Sequence, residues 1–383
     1  MRVSGKACLY LFASLFVALP TNAQESDNDC FLCEEAAAVI EEYSLRESST
    51  PVRELEGWAP PKRIVLSTGQ GLADLLKRAA PDAEIIAAGS PEAAAEIIAG
   101  ADVYFGICTP EIAKRGTSLK WIQIMRAGID ACTAQPEIAD RGTVATNLQR
   151  VLAKPIAEHA ISLMFAFSRK LYSFRDEQHT GQWNGDIRQG RRTSGAGLWL
   201  VSGRTMLVVG LGGIGSEVAR LGDALGMRVL ATRNSRREGP DYVEYVGLSH
   251  EMNELAAQAD VVISTLPLTA DTASLHNAAF FAAMKPEAIF INIGRGETVD
   301  TDALVAALRS GEIAGAGLDV AAPEPLPEGH PLWSLPNVMM TPHVAGSSSG
   351  ALRPIVGPIL LENLRRYVAG DALISEVDLN RGY

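Results

Sequence analysis

Residues 205–226 read TMLVVGLGGIGSEVARLGDALG, and this stretch decides the fold of the second half of the chain. A mostly apolar run, typical of a buried strand, leads into a turn where Gly210, Gly212 and Gly215 form the pattern GxGxxG, and an amphipathic helix follows. These glycines allow a tight turn, close approach of the backbone to a pyrophosphate, and close packing of the helix on the strand. The segment predicts a Rossmann unit that binds a dinucleotide at the helix N-terminus. The alternative is a glycine-rich turn without a ligand.

Apolar runs alternate with Ala-rich helical stretches on both sides of this segment. The runs that follow it include RVLATR, DVVISTLP, AIFINIG and VMMTPHVAG, and those from about Pro60 include RIVLS, AEIIAA, DVYFGI and KWIQIM. Short apolar strands that alternate with helices predict parallel sheets covered on both faces. The expected fold class is therefore α/β, with two doubly wound parallel-sheet domains, flavodoxin-like in the first half and Rossmann in the second.

Residues 1–23 have the layout of a secretory signal peptide. Arg2 and Lys6 precede an apolar run from Ala7 to Leu19, and small residues follow it as a cleavage pattern. The run is short for a transmembrane helix. We therefore expect export to the periplasm, with no stable membrane span after cleavage; the alternative is a cytoplasmic protein with an apolar N-terminal helix. Residues 24–59 follow as a polar, acidic lead-in of uncertain order.

Charge and cysteine content limit the partners. The chain has 45 Asp and Glu against 34 Lys and Arg, and this net charge of −11 argues against nucleic acid or an anionic membrane as the main partner. Cys30 and Cys33 form a CxxC in the lead-in, which suits a disulfide or a redox pair. No further ligands stand nearby at metal-site spacing, so no metal is predicted. Cys108 and Cys132 lie in apolar surroundings and are predicted to be buried thiols.

The loop after the second strand of the Rossmann unit is basic. Arg233, Asn234, Ser235 and Arg236 stand where an NAD site usually has a carboxylate that binds the ribose 2′-hydroxyl. Guanidinium and hydroxyl groups suit a 2′-phosphate. NADP is therefore the favoured cofactor, with NAD as the alternative; a solvated basic loop would explain the same residues without a ligand.

Three polar residues fall directly after later strands. Arg295 follows FINIG, Glu324 follows GLDVAAP and His343 follows VMMTP. In an open parallel sheet, ligands bind beyond the carboxyl ends of the strands. Reduction of a 2-oxo acid needs a cation for the substrate carboxylate, a proton donor to the carbonyl oxygen, and a partner that favours the charged donor. Each residue alone has a structural explanation, but the three together favour catalysis.

The chain as a whole resembles the D-isomer-specific 2-hydroxyacid dehydrogenases. The matching stretches run from about Lys62 to the last helix and keep their order: LKWIQ with AGID, PIAEHA, VVGLGGIG, TLPLT, NIGRGETVDTDALVAAL, GAGLDVAAPEP and HPLWSLPNVMMTPHVAG. The resemblance implies that His343 is the general acid and base, that Glu324 is its paired carboxylate and that Arg295 orients the substrate. It also implies that the backbone amides at Ala127 and Gly128 receive the substrate carboxylate.

The same resemblance implies the cofactor contacts and the domain organisation. Asp319 would hold the nicotinamide carboxamide, and further cofactor contacts would come from Gly213, Ile214, Leu266, Pro267, Ile293 and Gly294. The substrate domain would comprise residues 60–151 and 346–383. Residues 152–345 would form the NAD(P)-binding Rossmann domain. A homodimer is the assembly that the resemblance implies.

The sequence thus predicts an NADP-dependent enzyme that reduces a small 2-oxo acid, such as glyoxylate or hydroxypyruvate, to the D-2-hydroxy acid. Two alternatives remain. One is an NAD-linked dehydrogenase of the phosphoglycerate type, which the basic residues at 233–236 disfavour. The other is an exported, non-enzymatic binding protein on the same scaffold, which the signal peptide suggests and the Arg295, Glu324 and His343 set disfavours.

Overall fold

The computed structural model describes residues 34–181, 197–347 and 353–382. The predicted signal peptide and the Cys30–Cys33 pair lie outside these described residues. The rest forms two sheets, of five and seven strands, in which all paired strands are parallel. The predicted α/β fold class is therefore confirmed.

The first sheet has the strand order β2-β1-β3-β4-β5. Its strands are β1 (Arg63–Leu66), β2 (Glu84–Ala87), β3 (Val103–Gly106), β4 (Trp121–Ile124) and β5 (Val144–Thr146). The helices of this part are α1 (34–42), α2 (Gln70–Leu76), α3 (Pro91–Ile97), α4 (Pro110–Arg115), α5 (Asp130–Thr133) and α6 (Pro136–Asp140).

The second sheet has the strand order β12-β11-β10-β9-β6-β7-β8. Its strands are β6 (Thr205–Val209), β7 (Arg228–Arg233), β8 (Tyr245–Leu248), β9 (Val261–Ser264), β10 (Ile289–Asn292), β11 (Gly315–Leu318) and β12 (Val338–Met340). The remaining helices are α7 (Ala153–Ser168), α8 (Leu171–His179), α9 (Gly213–Ala224), α10 (Met252–Ala256), α11 (Ala278–Ala283), α12 (Thr301–Ser310) and α13 (Arg353–Ala369).

Local sequence explains where several helices begin. Ser90 and Thr109 each precede a proline, and their side-chain oxygens accept hydrogen bonds from the backbone N–H groups of Ala93 and Ile112. A hydroxyl N-cap followed by proline at the first helical position satisfies free amides and fixes φ for a helix. Helices α3, PEAAAEI, and α4, PEIAKR, therefore start at these sites.

Helix α13 returns from the end of the chain to the first sheet. The Tyr367 ring stacks on Trp121 of β4 with ring centroids 5.1 Å apart. The side-chain amide of Asn363 donates to Oε1 of Gln123 at 3.0 Å, inside the core. Helix α7 instead packs against the second sheet. The division into a substrate domain at 60–151 plus 346–383 and a cofactor domain at 152–345 stays a prediction.

The lead-in is more ordered than its composition suggests. Residues 34–42 form α1, and Val39, Leu45 and Val52 are buried against the core beneath α13. The Trp58 indole donates to the carbonyl of Tyr367 at 3.1 Å. Residues 34–59 therefore pack with the first sheet and α13, because their apolar side chains share one core cluster with them.

The prediction that Cys108 and Cys132 are buried thiols is wrong. The two residues form a disulfide with 4.9 Å between their Cα atoms. Cys108 follows β3 and Cys132 lies in α5, which follows β4, and these two strands are neighbours. Adjacent parallel strands bring the loops at their carboxyl ends together, so the disulfide ties the segment that holds Asp130 to the sheet.

Replacing both cysteines with serine is expected to lower the free energy of unfolding by about 3 kcal/mol. The disulfide closes a loop with a sequence separation of 24 residues, and loop closure of this size restricts the unfolded chain by about that amount. Denaturant titration of the wild type with and without reductant, beside the C108S/C132S variant, measures the difference. A wild type whose stability is independent of reductant, and equal to that of the variant, would contradict the disulfide.

His276 makes stability depend on pH. Its side chain is buried against Phe280 and Phe290, Nδ1 faces the carbonyl of Thr298 at 3.1 Å, and burial lowers its pKa from an ordinary 6.5 to about 4. As the pH falls, His276 therefore takes up a proton in the unfolded chain at a higher pH than in the folded protein. The stability that the neutral, buried imidazole contributes is complete above pH 6.5 and is lost as the pH falls toward about 4. The expected loss over that range is about 3 kcal/mol.

The His276→Phe variant isolates this contribution. It retains an aromatic ring among Phe280 and Phe290 but has no group that titrates in that range. Denaturant titrations across the pH range are expected to show a shallower loss of stability in the variant than in the wild type. Parallel pH profiles for the two proteins would show that His276 does not drive the effect.

Candidate active site

The strand order gathers the predicted site residues along one edge of the second sheet. Strands β12, β11 and β10 are neighbours, and β9, β6 and β7 continue the sheet. His343 follows β12, Glu324 follows β11 and Arg295 follows β10. The glycine-rich turn follows β6 and the basic loop follows β7. All of these groups therefore stand beyond the carboxyl ends of parallel strands, where ligands bind in such sheets.

His343 and Glu324 form a hydrogen-bonded pair. Nδ1 of His343 lies 2.8 Å from Oε2 of Glu324, and both side chains are 39% exposed. The other carboxylate oxygen of Glu324 accepts from the backbone N–H of Ala321 at 3.0 Å, which fixes its orientation. The contact at Nδ1 leaves Nε2 as the ring nitrogen available to a substrate. An imidazole oriented by a carboxylate in this way is suited to general acid catalysis.

A buried carboxylate holds the loop that carries His343. Asp319 is 2% exposed, and its oxygens accept from the hydroxyl of Thr341 at 2.6 Å and from the backbone N–H groups of Val344 and Ala345, each at 2.9 Å. His343 itself has a positive φ of 51°, a conformation that costs a non-glycine residue about 1 kcal/mol. The hydrogen bonds to Asp319 offset that cost.

His159 on α7 reaches the same loop. Its Nε2 lies 2.9 Å from the hydroxyl of Thr341 and 3.6 Å from Oδ1 of Asp319. His159 and Thr341 were not predicted as site residues. The signal for Thr341 is that it directly follows β12, and the signal for His159 is that it lies in the PIAEHA stretch that carries the resemblance. The predicted contact of Asp319 with the nicotinamide stays a prediction, and the contacts described here give Asp319 a positioning role.

Arg295 bridges the two domains. Its Nε and Nη2 atoms lie 2.7 and 2.6 Å from Oδ1 of Asp130, and Nη1 donates to the carbonyl of Gly294 at 2.8 Å. A Cβ built on Gly128 would lie 1.4 Å from Nη2, so the guanidinium occupies the space that a side chain at 128 would fill. The arginine therefore lies directly against the AGID segment, where the substrate carboxylate is predicted to bind.

The backbone after Arg295 packs tightly on the segment before Glu324. A Cβ on Gly296 would lie 2.0 Å from the carbonyl oxygen of Ala321. This contact sets the two loops side by side.

The turn after β6 fits a dinucleotide. Gly210 has a φ of +98°, and a Cβ on Gly215 would lie 2.1 Å from the Gly210 carbonyl oxygen, so only glycine fits either position. A Cβ on Gly212 would meet nothing within 4 Å, which leaves its backbone open to a ligand. Helix α9 begins at Gly213, directly after this turn, and a helix N-terminus in this position is suited to bind a pyrophosphate.

Two cavities lie along this edge of the sheet. The larger, about 630 Å³, is lined by the predicted cofactor residues Gly210, Gly212, Arg233, Asn234, Ser235, Arg236, Leu266 and Pro267. The smaller, about 70 Å³, is lined by the predicted residues Ala127, Gly128, Ile214, Leu266, Pro267, Ile293, Gly294 and Arg295. The predicted residues Gly213, Gly215, Asp319, Glu324 and His343 line neither of these two cavities.

The basic loop presents cations to the larger cavity. Burial, together with the neighbouring Arg236, holds the pKa of Arg233 below its ordinary value. The buried Nε of Arg233 has no hydrogen-bond partner within the described residues. Arg237, by contrast, is paired with Glu251 at 2.7 Å and is not available. A buried guanidinium nitrogen without a partner fits a phosphate ligand.

Several residues that line the cavities were not predicted from the sequence. Asp130 pairs with Arg295, and Asn147 donates to the carbonyl of Ala127 at 2.8 Å. At the C-terminal end, Asn380 and Arg381 line the larger cavity and Gly382 lines the smaller one. Asp130 stands within the AGID motif that carries the resemblance, which is a signal that could have identified it. The described residues contain no cluster of three or more His, Cys, Asp or Glu suited to a metal. No helix within them is long and apolar enough to cross a membrane.

Comparisons with known proteins agree with this geometry. Residues 161–345 match the family model of the D-isomer specific 2-hydroxyacid dehydrogenase NAD-binding domain. The chain is 35% identical over 291 residues to the glyoxylate reductase/hydroxypyruvate reductase of Homo sapiens, covering 74% of this chain and 85% of that protein. It is 33% identical to an uncharacterised protein of Corynebacterium melassecola, covering 78% and 95% of the two chains.

Solved structures are similar over most of the chain. An NADPH-dependent glyoxylate/hydroxypyruvate reductase from Sinorhizobium meliloti, in complex with NADP and malonate, matches with a TM-score of 0.68 and 30% identity, covering 85% of this chain and 98% of that one. A D-isomer specific 2-hydroxyacid dehydrogenase from Xanthobacter autotrophicus, in complex with NADPH and MES, matches with a TM-score of 0.68 and 30% identity over 84% and 100%.

Proposed function

Because this chain belongs to the D-isomer-specific 2-hydroxyacid dehydrogenases, we propose that it is an NADPH-dependent reductase of a small 2-oxo acid such as glyoxylate or hydroxypyruvate. The product is the D-2-hydroxy acid. The observation that carries the proposal is the His343–Glu324 hydrogen bond of 2.8 Å at the carboxyl edge of the sheet that bears the dinucleotide turn. A protein that only binds a ligand has no need of an oriented proton donor there.

Each residue of the site has a defined task in this reaction. A nicotinamide dinucleotide, when bound, would supply the hydride for reduction at C2 of the substrate. His343 donates a proton from Nε2 to the oxygen on C2 as negative charge develops there, and Glu324 stabilises the imidazolium before transfer. Arg295 and the backbone amides at Ala127 and Gly128 hold the substrate carboxylate, because a guanidinium forms strong charge-assisted hydrogen bonds with it.

A direct assay tests the proposal. Loss of NADPH absorbance is followed with glyoxylate, hydroxypyruvate and pyruvate, with NADH in parallel, and the product is resolved by chiral chromatography. Turnover of a 2-oxo acid to the D-product supports the proposal. No turnover across the panel, with dinucleotide binding retained, would favour the exported binding protein instead.

Arg236→Gln is expected to raise the KM for NADPH by about tenfold or more and to leave the KM for NADH nearly unchanged. Arg233 and Arg236 are proposed to bind the 2′-phosphate, and a hydrogen bond to a charged group contributes about 1.5–3 kcal/mol. Steady-state kinetics with both cofactors measure the ratio of the KM for NADPH to the KM for NADH in each protein. Arg237→Gln is the matched control, since Arg237 is paired with Glu251. An equal loss with NADH would contradict the assignment.

Location and assembly form part of the same proposal. The signal-peptide pattern at 1–23 is the basis for export, and the Cys108–Cys132 disulfide supports an oxidising compartment. Leu171, Leu198 and Leu200 have exposed apolar side chains, and the proposal places such side chains in a homodimer interface. Fractionation with N-terminal sequencing tests the first point, and light scattering on the purified protein tests the second.

A further inference from the structure

Arg150 comes from the substrate-domain side of the chain and covers the start of the dinucleotide-binding helix. It stands between β5 and α7, and its side chain is half-buried. A Cβ built on Gly213, the first residue of α9, would lie 3.0 Å from Cγ of Arg150 and 3.7 Å from its Cα. Glycine at 213 therefore leaves the space through which the arginine stem passes over the first turn of α9.

Arg150 lies in a group of like charges. Burial and the nearby Arg46 hold the pKa of Arg150 below its ordinary value, and Arg46 and Arg150 both contribute to lowering the pKa of Arg233. Within residues 34–181, 197–347 and 353–382, no hydrogen bond or ion pair is observed for the Arg150 guanidinium. In a protein with a net charge of −11, Arg46, Arg150 and Arg236 thus all lie within electrostatic range of Arg233, together with one carboxylate, Glu238.

A half-buried guanidinium without a partner is costly unless an anion binds it. The anion expected at this place follows from the backbone, because the turn after β6 and the first amides of α9 are suited to a pyrophosphate. Residues 212 and 213 are both glycine and offer no side chain of their own. Arg150 supplies from another segment the cation that the turn lacks.

We propose that Arg150 binds the pyrophosphate of the dinucleotide across the domain boundary, so that the cofactor is held by a cation from outside the Rossmann domain. This inference rests on the proposed function, since it assumes that a dinucleotide occupies the turn. It separates two anion sites: Arg150 serves the pyrophosphate, which NAD and NADP share, and Arg236 serves the 2′-phosphate, which only NADP carries. Arg46 adds positive charge to the approach without a direct contact.

Binding measurements on single variants test the separation. The dissociation constants of NADP+, NAD+ and adenosine 2′-monophosphate are measured by isothermal titration calorimetry for the wild type, R150Q, R150K, R236Q and R309Q. R150Q is expected to raise the dissociation constants of NADP+ and NAD+ by the same factor, about tenfold or more, and to leave the dissociation constant of adenosine 2′-monophosphate unchanged. R236Q is expected to raise the dissociation constants of NADP+ and adenosine 2′-monophosphate and to leave that of NAD+ unchanged.

The remaining variants are controls. R150K keeps the charge and is expected to retain more dinucleotide affinity than R150Q, with an equal melting temperature showing that both are folded. Arg309 is exposed near the end of α12, so R309Q removes one positive charge far from the cofactor and is expected to bind like the wild type.

Other results would overturn the inference. Wild-type affinity of R150Q for both dinucleotides excludes a pyrophosphate contact, and so does a loss confined to NADP+ and adenosine 2′-monophosphate. In either case the proposed function stands, because the wild-type protein still binds the dinucleotides. A wild type that binds neither dinucleotide overturns the proposed function itself and this inference with it.

Discussion

Replacing His343 with alanine is expected to lower kcat for reduction of a 2-oxo acid by about two to four orders of magnitude, with little change in the Kd for NADPH. The imidazole is the group placed to protonate the oxygen on C2, and its Nδ1 is engaged by Glu324 at 2.8 Å. Its loop is held by Asp319 through backbone groups, so removal of the ring leaves the loop bonded as before. Stopped-flow or steady-state kinetics beside NADPH titration measure the two quantities separately.

His250→Ala is the matched control for this variant. His250 is a histidine with a 74% exposed side chain, and its replacement is expected to leave kcat unchanged. Glu324→Gln retains a hydrogen-bonding group beside His343 but removes the negative charge, and we expect it to lower kcat by less than His343→Ala does. A His343→Ala enzyme that turns over within a few-fold of the wild type would remove His343 from the mechanism.

The sequence alone was sufficient to predict the second sheet, which carries the candidate site. The apolar runs from 205 to 340 became the seven strands of the second sheet, because buried parallel strands consist of nearly continuous apolar residues. Loops that follow such strands gather at one edge of the sheet. For this reason Arg295, Glu324 and His343, which are distant in sequence, could be predicted to share an edge before their geometry was known.

Contacts between neighbouring loops were not available from local sequence. Cys108 and Cys132 are 24 residues apart, and their pairing depends on the adjacency of β3 and β4, which alternation of strands and helices does not give. The ion pair between Asp130 and Arg295 joins two domains and is invisible to any pattern within one of them. The lead-in, in contrast, did carry a signal: Ala36, Val39, Ile40 and Tyr43 follow helical spacing, and all of them face the core or its margin.

In the proposed mechanism, the Asp130–Arg295 ion pair sets how Arg295 binds the substrate carboxylate. Both bonds from Nε and Nη2 go to one oxygen of Asp130, Oδ1, and Nη1 donates to the carbonyl of Gly294. The Nη1 and Nη2 groups each carry two hydrogens, so a donor remains on each for a second acceptor. Asp130 therefore fixes the plane of the guanidinium and does not exhaust its donors. A carboxylate substrate in the small cavity can bind that fork while the ion pair persists.

Arg295→Gln is accordingly expected to lower kcat/KM for a 2-oxo acid by about two to three orders of magnitude, through both a higher KM and a lower kcat. The variant loses the charge that binds the substrate carboxylate and the planar fork that orients C2 for hydride transfer. Arg295→Lys retains the charge without the fork. We therefore expect its KM to lie between those of the wild type and Arg295→Gln, and its kcat to stay close to that of Arg295→Gln. Steady-state kinetics with glyoxylate and hydroxypyruvate, beside Arg309→Gln as an exposed control, separate the two contributions. A lysine variant that restores kcat fully would mean that charge alone matters and that the orientation set by Asp130 has no part in catalysis.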